Sequence, residues 1–158
     1  MTIKKRVAGG AAGIAIAAAL FIGPWEGRVL TAYPDRLANN IPTVCFGETR
    51  GVKLGDSYTA AECQDMLARA VVEFRTALGR CLPSLDRLPE GVQVAFISFA
   101  YNVGTGAACR STLVRLANAG DIRAACNQLP RWNKAGGKVV QGLSNRRGAE
   151  RELCLSAL

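Results

Sequence analysis

The stretch Glu26-Gly27-Arg28-Val29-Leu30-Thr31-Ala32-Tyr33-Pro34-Asp35, with Thr43 eight positions further on, decides the reading of this chain. It sets two carboxylates nine residues apart and places a hydroxyl downstream, in the short β-prone run Thr43-Val44-Cys45-Phe46-Gly47. Hydrolysis of a glycosidic bond requires such groups. One carboxylic acid protonates the leaving oxygen, and a second carboxylate acts at the anomeric carbon or activates water there. Twelve acidic residues in 158 make a spacing of this kind common by chance, so the surroundings of the pair carry the weight.

Those surroundings form a pattern. Trp25-Glu26-Gly27, Tyr33-Pro34-Asp35 and Thr43-Val44-Cys45-Phe46-Gly47 resemble the Glu…Asp…Thr active-site region of phage lysozymes of the T-even type, glycoside hydrolase family 24. Ser98-Phe99-Ala100-Tyr101-Asn102-Val103-Gly104 and Gly142-Leu143-Ser144-Asn145-Arg146-Arg147 resemble the carboxy-terminal lobe of the same family. The resemblance runs from Trp25 to the end, with the motifs in order. It implies an α+β, mostly helical, two-lobed lysozyme-like fold with a small β-sheet lobe and a helical lobe. Glu26 is then the general acid, Asp35 its ionised partner, and Thr43 a group orienting the attacking water. Arg146 matches an arginine that pairs with the acid, and Arg147 is the near alternative. Inversion is implied too, which sets the two carboxyl groups about 6.5–9.5 Å apart. The chain departs from the family pattern Thr-x-Gly-x-Gly-His at two places: Cys45 replaces the first glycine, and Glu48 stands where the histidine does. The interval from Asp35 to Thr43 is also slightly longer than in the T-even enzyme. Glu48 is a third acid near the cleft or a turn residue; the turn is favoured, since loop carboxylates are usually solvated.

Composition narrows the classes independently. A length of 158 residues suits one domain, or two small lobes sharing a core. The formal charge of +8 suits an anionic partner, whether nucleic acid, lipid surface or cell wall. No nucleic-acid motif accompanies it, so peptidoglycan is the expected partner, met by a monomer. Histidine is absent, which removes Ser-His-Asp and Cys-His catalysis and the usual zinc-hydrolase ligand sets. Neither metal nor cofactor is expected.

Six cysteines, Cys45, Cys63, Cys81, Cys109, Cys126 and Cys154, contain no Cys-x-x-Cys pair and point to disulfides formed in an oxidising compartment. The pairing expected among near neighbours in sequence is Cys45–Cys63, Cys81–Cys109 and Cys126–Cys154. Six reduced, buried thiols are the alternative.

Lys4-Lys5-Arg6 precedes nineteen uncharged residues, Val7 to Trp25. As a helix these span about 28 Å, close to a bilayer core, and the basic cluster keeps that end cytoplasmic. Yet only Val7, Ile14, Ile16, Leu20, Phe21 and Ile22 are strongly apolar. Together they supply roughly −2 to −3.5 kcal/mol of insertion energy, a marginal anchor. A cleaved signal peptide ending near Ala17-Ala18-Ala19 and a permanent anchor are two readings. The favoured third is a signal-anchor-release segment, which resembles the amino termini of certain lambdoid phage endolysins. Residues 7–23 then hold the protein transiently at the host inner membrane before it is released to the periplasm. Pro24 is expected to break the helix or start a new one, with the first helix of the folded enzyme around Leu20 to Trp25.

The expected organisation is therefore a membrane-competent segment, 1–23, and a lysozyme domain, 24–158. The domain divides into a β-containing lobe at 24–58, a linking helix at 59–80 and a helical lobe at 81–158. Thr59-Ala60-Ala61-Glu62 is a capping box opening the linking helix. Pro89-Glu90 opens another that ends at Gly104, and shorter helices are expected over 112–119, 121–129 and 144–155. Arg131 to Gly137 is expected to be a flexible basic loop. The reading is an endolysin cleaving the β-1,4 bond between N-acetylmuramic acid and N-acetylglucosamine. The alternatives are a lytic transglycosylase and a non-enzymatic, membrane-anchored wall-binding protein.

Overall fold

A computed structural model describes residues 10–158; the basic cluster Lys4-Lys5-Arg6 and the first residues of the apolar segment lie outside them. The first helix, α1 (Ala11–Glu26), is longer than expected and passes through Pro24. Proline has no N–H for the carbonyl four residues earlier, which here belongs to Leu20. Both residues lie on the exposed face of the last turns, where that carbonyl costs little. The opposite face, Ile14, Ala15, Ala18, Ala19 and Ile22, is buried against α2 (Ala60–Cys81) and α3 (Glu90–Val103). The alanines let the helices approach closely. Full burial of Ile14 and Ile22 contributes about 3–6 kcal/mol.

Gly27, with φ of 69°, ends α1 in a conformation that costs glycine little and turns the chain into β1 (Val29–Asp35). β1 pairs antiparallel with β2 (Ile41–Cys45), with Tyr33 opposite Thr43 and Asp35 opposite Ile41. This small lobe has little core of its own: Ala32, Val44 and Cys45, packed with Cys63 of α2. The bridge from Cys45 to Cys63 fastens it to the first turn of α2, which Thr59 and Glu62 cap reciprocally. Cys45 adopts φ of 59°, a left-handed conformation suited to the glycine that the family pattern has there. The strain is held because the same residue is covalently tied. A Cys45→Ser/Cys63→Ser variant is expected to lose about 3 kcal/mol of unfolding free energy, read by chemical denaturation.

The helical lobe is built around α3, whose residues Val92 to Ala100 are all buried. Around it lie α4 (Thr105–Cys109), α5 (Thr112–Asn118), α6 (Ile122–Cys126) and α7 (Gln141–Ser156). Two further bridges, Cys81–Cys109 and Cys126–Cys154, tie α2 to α4 and α6 to α7. At Gly91 the helices nearly touch: an added Cβ would lie 2.9 Å from Leu153 O and from the Ala157 Cβ.

The expected flexible loop after Arg131 is instead a tight hairpin, β3 (Lys134–Ala135) against β4 (Lys138–Val139). Gly136 and Gly137 take φ of 55° and 77°, the double positive pair that a two-residue hairpin turn demands.

Candidate active site

Glu26 is the last residue of α1, so its position is set by a buried helix on one side and a glycine turn on the other. Its Oε1 accepts a hydrogen bond of 2.6 Å from Nη1 of Arg146, on α7, 120 positions along the chain. The arginine side chain is 4% exposed and the glutamate 23%, so the pair sits at the wall of the fold with the carboxyl reachable from outside. Arg147, the alternative partner, does not meet Glu26 in a hydrogen bond. It is fully buried and turned to Glu150. Neither arginine belongs to a solvated helix face.

Asp35 ends β1 half-exposed, and its Oδ1 accepts from the Leu37 N–H at 2.9 Å, which caps the single helical turn Arg36–Ala38. Thr43 is buried in β2 and donates its hydroxyl proton to Ile41 O at 3.0 Å. Since Thr43 faces Tyr33 across the ladder, Thr43 and Asp35 are diagonal neighbours on one sheet face, a separation of about 7–8 Å. The proton of Thr43 is committed, which leaves the hydroxyl oxygen free to accept one.

Glu48 is a turn residue. Its Oε1 accepts from the backbone N–H groups of Thr49 and Arg50, and the Arg50 guanidinium adds bonds of 3.1 and 3.2 Å. Arg50 then reaches Glu73 on α2 at 2.7 Å, clamping the small lobe to the linking helix. Burial opposes the Glu48 charge, but these bonds prevail and hold its carboxyl below the ordinary value. A group lowered on folding stabilises above its unfolded value and loses that contribution as pH falls through the folded one. Glu48→Gln is therefore expected to cost about 1 kcal/mol near pH 7 and nothing near pH 2, read by thermal unfolding across pH.

From α3, the Tyr101 hydroxyl donates to Phe46 O at 3.4 Å, joining the helical lobe to the small one. Burial pushes the phenol up to about 12, with the charge of Glu26 adding to it, so it stays a neutral donor. Phe46, Glu48, Arg50, Phe74 and Tyr101 line a cavity of about 390 Å³ between the lobes. Among the described residues no cluster of side chains is placed to hold a metal ion.

Ser98 stood in a family-like motif without an assigned role, and Glu150 escaped the sequence reading. Ser98 sits inside the apolar run of α3, and Glu150 lies three and four residues beyond the two arginines, the helical spacing for ion pairs. That spacing was the signal available for finding it.

An acid at a helix end held by an arginine of the last helix, and a carboxylate and a hydroxyl on one hairpin face, coincide with a family match over residues 23–150. The chain belongs to the phage lysozyme family. That membership makes it a glycoside hydrolase, a lysozyme of the endolysin kind, acting on peptidoglycan. The lysozyme is 40% identical over 163 residues to the SAR-endolysin of Enterobacteria phage P21, covering 98% of this chain and 96% of that one. Its fold matches the active form of P1 phage endolysin Lyz at a TM-score of 0.74, with 24% identity, over 88% of this chain and 83% of that one. Against the secreted inactive form of the same P1 protein, also at 24% identity, the TM-score is 0.53, over 68% and 76% of the chains.

Proposed function

We propose that this lysozyme hydrolyses the β-1,4 bond between N-acetylmuramic acid and N-acetylglucosamine with inversion, using Glu26, Asp35 and Thr43. Glu26 delivers its proton to the glycosidic oxygen, and Asp35 takes one from a water on the far side of the sugar ring. Thr43, whose own proton is spent on Ile41 O, accepts the water's second hydrogen and fixes its angle of approach. Arg146 keeps the acid at the end of α1 in place. The observation that carries this reading is the contact from Glu26 to Arg146, which puts the acid where the first and last helices meet. The test is a reducing-end assay on purified peptidoglycan. Release of reducing muramic acid ends by the unaltered protein is expected, whereas anhydro ends would move the reading to a lytic transglycosylase.

The second part of the proposal concerns the amino terminus. Residues 1–23 act as a signal-anchor-release segment joined to a lysozyme domain at 24–158, and the monomer passes from the inner membrane to the periplasm. Magnitudes support this. Insertion of the six strongly apolar residues is worth roughly 2–3.5 kcal/mol, and docking Ile14 and Ile22 in the core is worth about 3–6 kcal/mol. Ile14 and Ile22 enter both sums, and the two contributions are of the same order, so lipid and protein compete for these two residues, as a two-state element needs. No helix among the described residues is long and apolar enough to cross a membrane. The relative from phage P21 bears the name SAR-endolysin, and the better match to the active P1 form fits a docked leader.

A further inference from the structure

Behind the pair of Glu26 and Arg146 lies a row of buried charges of alternating sign. Arg146 uses Nη1 for Glu26, Nε for Oε1 of Glu150 at 3.3 Å, and Nη2 for Ser98 O at 3.3 Å and Ser98 Oγ at 3.4 Å. Oε1 of Glu150 also accepts from Ser98 Oγ at 2.6 Å and from Arg147 Nη2 at 2.8 Å. Arg147 Nε lies 2.7 Å from Glu150 Oε2 with its N–H aimed elsewhere, so that contact is ionic. The row ends with the Arg147 guanidinium over the Phe99 ring, 5.5 Å from its centroid. Glu150 and Arg147 are fully buried, and Arg146 nearly so.

Burying three charges for the sake of one internal ion pair is a poor route to stability. A pair of Arg147 and Glu150 would be neutral by itself, yet Glu150 spends its better-served oxygen on the arginine that holds the acid. We infer that Glu150 is a positioning residue for the reaction: with Ser98 it fixes the Arg146 guanidinium and divides that arginine's charge, so that Glu26 is held by a shared cation and not a dedicated one. The inference rests on the muramidase reading above and names what tunes its acid. The groups facing the row are Glu26 from α1, Tyr101 from α3 and Arg146, Arg147 and Glu150 from α7, with Glu48 of the small lobe beyond Tyr101. Burial raises the Glu150 carboxyl above its ordinary value, opposed first by Arg147 and then by Ser98 and Arg146. Two arginines at hydrogen-bond range favour its charged form against that burial.

The test is Glu150→Gln, which keeps shape and hydrogen-bonding oxygen while removing the charge. The Arg146 charge then falls on Glu26 alone and favours its anion. Values of kcat are expected to drop at least about tenfold with KM within about twofold. The alkaline limb of the kcat profile, where the acid has lost its proton, moves to lower pH. In an Arg146→Gln background the same exchange is expected to cost nothing further in kcat, since a residue acting through Arg146 has nothing left to act on. A folded Glu150→Gln protein with the unaltered limb, or with equal losses in both backgrounds, overturns the inference. If that variant does not fold, Ser98→Ala decides: a smaller loss with the same displacement of the limb supports it, and an unmoved limb overturns it. Failure of the muramidase reading is a different result, since the unaltered protein would then release no reducing ends.

Discussion

Glu26→Gln is expected to abolish lysis while the protein exports, folds and retains its disulfides. A positioned general acid contributes about 10²- to 10⁴-fold, and the amide cannot replace it as a proton donor to the leaving oxygen. The substitution is nearly isosteric, and the side chain is partly exposed at a helix end, so the core does not register it. Arg146 loses one counter-ion but keeps Glu150 and Ser98. Thermal unfolding within a few degrees of the unaltered protein, with turbidity clearance at background, is the expected pair of measurements. Wall cleavage at an undiminished rate would take Glu26 out of the role.

Removal of residues 1–23 has the other large expected effect. Were the leader only an address, the truncated protein would be active whenever it is made in an oxidising environment. The structure gives residues of this segment a place in the core. Ile14, Ala15, Ala18, Ala19, Ile22 and Gly23 leave the main core together, and α2 and α3 lose their cover. The two isoleucines alone contribute about 3–6 kcal/mol, against a total stability of about 5–15 kcal/mol for a domain. Glu26 would also lose the helix that aims it. Purified protein lacking these residues is expected to show no reducing-end release and a broadened or absent unfolding transition. Full activity in that protein would make the leader dispensable to the folded enzyme.

The linking helix was legible because Thr59 and Glu62 announce its start and its apolar residues recur at helical spacing; it runs from Ala60 to Cys81. The β-containing lobe was legible from glycine and proline punctuation. The extent of α1 was not, because reading Pro24 as a break ignores which face of the helix it occupies, and only tertiary packing decides that. The hairpin at 134–139 was missed for a related reason. Two adjacent glycines mark both a loose loop and a tight double-positive turn, and the short flanking strands carry no periodicity. At the site, the motif order pointed to Glu26 and to an arginine at 146 or 147. The choice between the arginines turned on which one α7 aims at the end of α1, a long-range fact. The role of Ser98 was not legible from its motif, since a buried hydroxyl acquires meaning only from the partner opposite it.

The three bridges join cysteines that follow one another along the chain, and none encloses or interlocks with another. A polypeptide is made amino end first, so for Cys45, Cys81 and Cys126 the next thiol to emerge is the correct mate. In an oxidising compartment, pairing can then keep pace with the emerging chain, without reshuffling of mismatched sulfurs, which is slow on the scale of folding. The order of the cysteines is thus also a timetable for maturation.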